Sequence, residues 1–169
     1  IIMVGPGRYY ENIDFLGKAV TVRSHHGAAF TIIDGNGAGS VVKFSHGDGQ
    51  GFVLEGFTLT NGTGTEEGGT GVFRGGAVLC AGVNPTLIGN VMRDNTATVG
   101  GAIYCSGSSP LIAENIITAN HADEGAGIAC VDGSSPEIAG NMIHGNTAAV
   151  AGGGILCRND SSPVMGHNT

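Results

Sequence analysis

The chain has 169 residues, 41% of them apolar and only 12% charged, with a net charge of −7. That balance argues against an unfolded polyelectrolyte, and seven Lys and Arg are too few for a nucleic-acid-binding face. No apolar run reaches the roughly 18 residues that would span a membrane, and the length suits one domain.

Taken in order, residues 1–24 read as strand, turn, short strand, turn, strand. Ile2 and Val4, Ile13 and Phe15, and Val20 and Val22 alternate with period two, and Pro6-Gly7 and Gly17-Lys18 punctuate them. His25 and His26 follow as neighbours. On a strand such neighbours point to opposite faces and cannot share a ligand; in a turn that objection lapses, but an ordinary turn pair is the plainer reading. Residues 30–37 and 40–49 supply two more strands with Gly-rich turns, and residues 52–62 close a longer coil. Phe57, Leu59 and Asn61 match Ile116, Thr118 and Asn120 in position, so the irregular segment 1–61 leads into the register of the later chain. Residues 62–74 form a Gly/Thr-rich loop carrying Glu66, Glu67 and Arg74. It is longer than the later repeat needs, and such loops are where stacked folds place function, although a solvated surface loop is the plainer reading because Gly-Thr runs are also ordinary turns.

Residues 75–169 repeat. Cysteine recurs at Cys80, Cys105, Cys130 and Cys157, and proline at Pro85, Pro110, Pro136 and Pro163. Asparagine recurs at Asn90, Asn115, Asn141 and Asn168, and again at Asn95, Asn120 and Asn146. A period of about 25 residues marks a stacked architecture, and no window carries the 3.6-residue stripe of a helix. Each repeat instead holds three short period-two pieces; in one they are residues 101–105, 111–113 and 116–118. Three short strands per period describe one coil of a parallel β-helix, whose inward residues stack on those of the next coil. The columns agree: Val78, Ile103, Ile128 and Ile155; Leu87, Ile112, Ile138 and Met165; Met92, Ile117 and Ile143. The cysteines form a fourth column, and Ala97, Ala122 and Ala148 a fifth near a corner. Stacked asparagines can bond from coil to coil as ladders, and Asn tolerates the left-handed backbone a corner can require. The expected fold is therefore an all-β, single-stranded parallel β-helix of six or seven coils over residues 1–169. The chain opens at Ile1 within a strand and closes at Thr169 partway through a coil, so it reads as a fragment or mature piece. Ends without caps imply flanking sequence or end-to-end self-association.

The opening, with the runs at residues 4–24, 31–37 and 53–62, resembles secreted right-handed parallel β-helix proteins of the pectate-lyase-like superfamily, including its carbohydrate-binding and sugar-hydrolase branch. The lines built on Gly-Gly-x-Ile-x-Cys and Ser-Ser-Pro-x-Ile-x-x-Asn resemble repeats of large bacterial surface or secreted proteins. The resemblance implies a right-handed coil, a secreted or cell-surface location and a polysaccharide or surface protein as partner. The motif carrying the catalytic Asp of pectin methylesterases is missing, as are the paired acidic calcium ligands of pectate lyases. Calcium is thus compatible with the resemblance but is not indicated, and no cofactor is called for.

The outward column of the first strand runs Leu79, Tyr104, Ala129 and Leu156, a flat apolar stripe with one tyrosine. Asp132, Arg158 and Asp160 lie beside it. An aromatic platform with a few polar groups can hold a sugar chain, which makes Tyr104, Asp132, Arg158 and Asp160 the candidate ligand-binding residues; equally, the stripe could bury against a missing segment or a second copy, and spacing does not separate the two. Asp132 and Asp160 are the best candidate catalytic pair, since a glycosidase needs two carboxylates about 5 to 10 Å apart; a turn-solvating pair bridged to Arg158 is the plainer reading. Lys43 and Arg23 could serve a lyase only by residue type. Most other acids, Asp48 among them, sit in turns. The histidines show no metal spacing, and the column Thr96, His121, Thr147 breaks the threonine rank an ice-binding face requires. The cysteines read as a buried column of free thiols, because parallel in-register side chains suit the disulfide dihedral poorly. The expected function is an extracellular scaffold that presents a binding surface for glycans or proteins. The alternative is a polysaccharide lyase or glycoside hydrolase with its cleft on the first-strand face.

Overall fold

The computed structural model describes residues 1–46 and 51–169, and every regular element among them is a β-strand. Asp48 lies outside the described residues. The strands stack into a solenoid of about six turns with four sheets. The cysteine sheet runs Ile13–Asp14, Val42–Phe44, Val78–Ala81, Ile103–Ser106, Ile128–Val131 and Ile155–Cys157. A second sheet, whose later strands follow Pro85, Pro110, Pro136 and Pro163, has seven strands from Ile2–Val4 to Val164–Gly166, and a third has six from Gly7–Tyr10 to Met142–His144. All strand pairs within these three sheets are parallel.

The inward columns are those read from the repeat. Val78 pairs with Ile103, Ile128 and Ile155 in succession, and Leu87 with Ile112, Ile138 and Met165. Away from the C-terminal coil these side chains are fully buried in one continuous core. Each coil alone is too small to shield them, so the stabilisation comes from the stack. Phe15, Phe44 and Phe52 fill the N-terminal end of the core, with ring centroids 4.3 to 6.2 Å apart.

Two asparagine ladders seal the corners on either side of the third sheet. Asn90 Nδ2 donates to Asn115 Oδ1 at 3.2 Å, Asn115 to Asn141 at 3.0 Å, and Asn141 to Asn168 at 3.0 Å. Asn95, Asn120 and Asn146 form the second run, with both steps at 2.9 Å. Each ladder oxygen also accepts a backbone N–H from the coil before, so corner amides that strands cannot pair are satisfied by side chains. No buried side-chain nitrogen or oxygen among the described residues lacks a partner. The left-handed conformation falls on the residue before each ladder asparagine, such as Glu114 (φ 56°) and Ala119 (φ 54°), rather than on the asparagine itself.

The regular coils carry a fourth strand, which the period-two reading did not separate from the corner. Thr96–Val99, His121–Glu124 and Thr147–Ala151 form it, and the Gly/Thr-rich segment begins it as a hairpin in which Phe73–Arg74 pairs antiparallel with Thr65–Glu66. Ala97, Ala122 and Ala148 are half-buried on this sheet and take no part in the core. After Val99 the chain turns sharply at Gly100 (φ 73°), where a Cβ would stand 2.6 Å from the Ile103 carbonyl oxygen. The turn folds the end of the fourth sheet over the outward face of the cysteine sheet.

The register of the longer N-terminal coil corrects the sequence alignment by one residue. Leu59 pairs with Met92, which pairs with Ile117, so Leu59 faces inward and Asn61 stacks on Asp94. A one-residue slip would turn Leu59 out of the core, yet it is fully buried. Gly62 takes the ladder position, where a Cβ would meet the Gly76 carbonyl oxygen at 1.9 Å; only glycine fits.

The cysteines pair in register across four coils as free thiols; Cys80, Cys105 and Cys130 are buried and Cys157 is exposed. Contact with Cys105 and burial push the Cys130 thiol well up, and burial and the Cys130 thiol raise Cys157. Thiolate is the reactive form, so the native chain is expected to give one slowly reacting thiol and, on denaturation without reductant, four. Two or fewer after denaturation would reveal disulfides and contradict this arrangement.

Candidate functional site

The stripe Leu79, Tyr104 and Ala129 points away from the main core as read, but it is closed. Val99 and Val131 pack with it as a second apolar cluster, and Val72 from the hairpin covers its edge. Tyr104 is only 7% exposed, and the Arg74 guanidinium lies 5.9 Å from its ring centroid. The expected open aromatic platform is therefore a buried seam between the cysteine and fourth sheets. Val99 covers Tyr104 from a neighbouring part of the repeat, a contact that periodicity alone does not show.

The polar candidates border this seam. Asp132 stacks on Asn159, not on Asp160; it accepts hydrogen bonds of 2.9 Å from Asn159 Nδ2 and from Ser106 Oγ of the coil before. Those two bonds, with Arg158 and Arg74 nearby, hold its carboxyl below the usual carboxylate range. Arg158 reaches across the seam to Glu124 on the fourth sheet, so it bridges neither aspartate. Asp132 and Asp160 both sit in left-handed turn conformations (φ 55° and 61°). Lys43 and Arg23 are committed to Asp14 at 3.1 Å and Glu55 at 2.5 Å.

The structure opens a cleft elsewhere. It holds about 360 Å³ and is lined by Asp34, Asn36, Gly37, Asn61, Gly62, Thr63, Asp94 and Thr96. It lies at the corner after the third sheet. There the N-terminal coils, which turn straight into the cysteine sheet, meet the coils that carry the fourth strand. Asp34 is its fixed wall. The buried carboxylate receives Arg8 Nε at 2.8 Å and Asn61 Nδ2 at 3.0 Å on both oxygens. Burial opposes its ionisation, but the Asn36 N–H, Arg8 and Asn61 outweigh that and hold the carboxyl below the usual range. Asp94, paired with Arg93, stacks on Asn61 and leaves the cleft lined by acceptors and amides. The sequence signal for this site was the run of Asp34-Gly35-Asn36-Gly37, Asn61-Gly62 and Asp94-Asn95 at successive corners.

The stacked parallel sheets and closed coils define a β-solenoid, and the comparison with known families agrees. The family model for the right-handed beta helix region matches residues 16–169, and the chain belongs to that family. No curated protein and no solved structure was found to match it.

Proposed function

We propose that this chain is a secreted or cell-surface β-helix scaffold that binds a glycan in the polar cleft without cleaving it. The observation that carries this reading is the chemistry of the cleft wall. Each sugar hydroxyl both donates and accepts, and against the wall fixed by Asp34 the cleft offers the carboxylate of Asp94, the amides of Asn36 and Asn61, and the hydroxyls of Thr63 and Thr96. Both aspartates best placed for chemistry, Asp34 here and Asp132 at the seam, are held ionised by hydrogen bonds. Glycoside cleavage calls for a general acid whose pKa is raised, so these carboxylates suit recognition better than proton transfer.

Titration calorimetry with a panel of neutral and acidic oligosaccharides, with product analysis in parallel, tests the reading. Binding to at least one member without new reducing or unsaturated ends is expected. The double substitution Asp94→Asn, Thr96→Val should weaken it about tenfold, the value of one or two lost hydrogen bonds. No binding across the panel, or turnover of any member, would overturn the proposal.

A further inference from the structure

The strand Thr21–Ser24 ends in a turn that places His25 and His26 side by side, so the rule that strand neighbours diverge does not apply. Both imidazoles are exposed, and their Nδ1 atoms stand 3.0 Å apart with ring centroids at 4.4 Å and planes at 69°. The turn beneath them is rigid. Ser24 Oγ, buried and bonded to Thr31 Oγ1 at 2.6 Å, accepts the N–H of His26 at 3.2 Å and of Gly27 at 2.9 Å. His25 N–H donates to the Val4 carbonyl of the preceding coil at 2.9 Å. Phe30, 62% exposed, packs edge-on to His26 and limits the freedom of that ring.

The spacing of the two nitrogens is informative. Imidazole nitrogens bind a first-row metal at about 2.0–2.1 Å. Two of them at right angles around one ion are then roughly 2.8–3.0 Å apart, and at a tetrahedral angle roughly 3.3–3.4 Å. The observed separation is that of an N–H···N hydrogen bond, and it is short enough for both nitrogens to reach one ion once the exposed rings rotate. We propose that His25 and His26 form a cis-chelating site for Cu(II), with both Nδ1 atoms as ligands and water completing the shell. In the metal-free chain one Nδ1–H donates to the other Nδ1. On binding, that proton moves through solvent to Nε2, and a small rotation of the exposed rings turns both lone pairs to the ion. Cu(II) is favoured because it heads the stability order for nitrogen ligands, and the fixed turn removes much of the entropy cost of gathering them. The site is independent of the polar cleft.

Titration of the metal-free protein with Cu(II), followed by electron paramagnetic resonance, tests the assignment. One equivalent is expected to bind with hyperfine structure from two equatorial nitrogens. Either His25→Ala or His26→Ala should weaken binding about tenfold or more, since the lost partner no longer acts at high effective concentration. The double variant keeps His46, His121, His144 and His167 and serves as the internal control. Its unchanged circular dichroism and melting would confirm that this exposed turn was altered without unfolding the coil. An unchanged affinity or spectrum in the double variant, or a single-nitrogen signal in the parent, would overturn the assignment.

Discussion

Replacing Asn115 with alanine is expected to destabilise the chain by about 3–5 kcal/mol, near the upper limit for a single substitution. Asn115 is 1% exposed and makes four side-chain hydrogen bonds across three coils. Its Oδ1 accepts both the backbone N–H and the side-chain amide of Asn90, and its Nδ2 donates to the Leu87 carbonyl and to Asn141. Alanine strands these partners in a site water does not enter, and each unsatisfied buried group costs about 1–3 kcal/mol. Asn84→Ala is the control, because its exposed side chain makes one bond, accepted from the Ser109 N–H. Urea unfolding of the two variants beside the parent measures the difference. If they fall within about 1 kcal/mol of each other, the ladder does not hold the corners together.

The second large effect is Ile128→Asn. Ile128 is fully buried, with Ile103 and Ile155 as its register partners. The substitution removes an aliphatic side chain, worth about 1.5–3 kcal/mol of burial, and sets an unpartnered amide in its place. A loss of about 4–5 kcal/mol is expected. From the sequence, Tyr104→Ala stands as the mild comparator on an outer face. The closed seam changes that expectation: Tyr104 is packed by Val99 and Arg74, and its truncation should cost about 2–4 kcal/mol. Tyr10, 67% exposed, is the proper comparator, and Tyr10→Ala should cost well under 1 kcal/mol. Melting temperatures ranking Ile128→Asn lowest, Tyr104→Ala next and Tyr10→Ala nearest the parent would bear this out. Equal losses at Ile128 and Tyr10 would contradict the inward and outward assignment.

The inward columns were legible because the same aliphatic positions return every turn, and a parallel register leaves them one neighbour above and one below. The ladders were legible for the same reason. The fourth sheet was not. Thr96–Val99 and His121–Glu124 mix polar and small residues on both faces, and only Val99 commits to an apolar contact. The covered face of Tyr104 was hidden with it, since the covering residue belongs to another strand. At Asn61 the Asn-Gly pair imitated the later ladder, whereas the close approach at Gly62 shifted the register by one. The cleft joins Asp34, Asn61 and Asp94 from three successive coils, and the irregular spacing of the first two concealed their stacking.

The places where the coil length changes show which alterations of length the solenoid can absorb. Cys80 to Cys105 is one period of 25 residues, and Cys130 to Cys157 is 27. One added residue is taken up in the turn at Asp132 and Gly133 after the cysteine sheet, and the other in an irregularity of the outer sheet, where Glu124 pairs with Ala151 although Ala122 pairs with Ala148. The aliphatic columns cross both additions in unbroken register. Added residues are thus absorbed at the rim of the coil, and a change of length that keeps every column in register must add or remove an entire coil. A single-residue deletion inside Ile116–Thr118 has no such outlet, whereas excision of one full period joins two edges already cut to the same pattern.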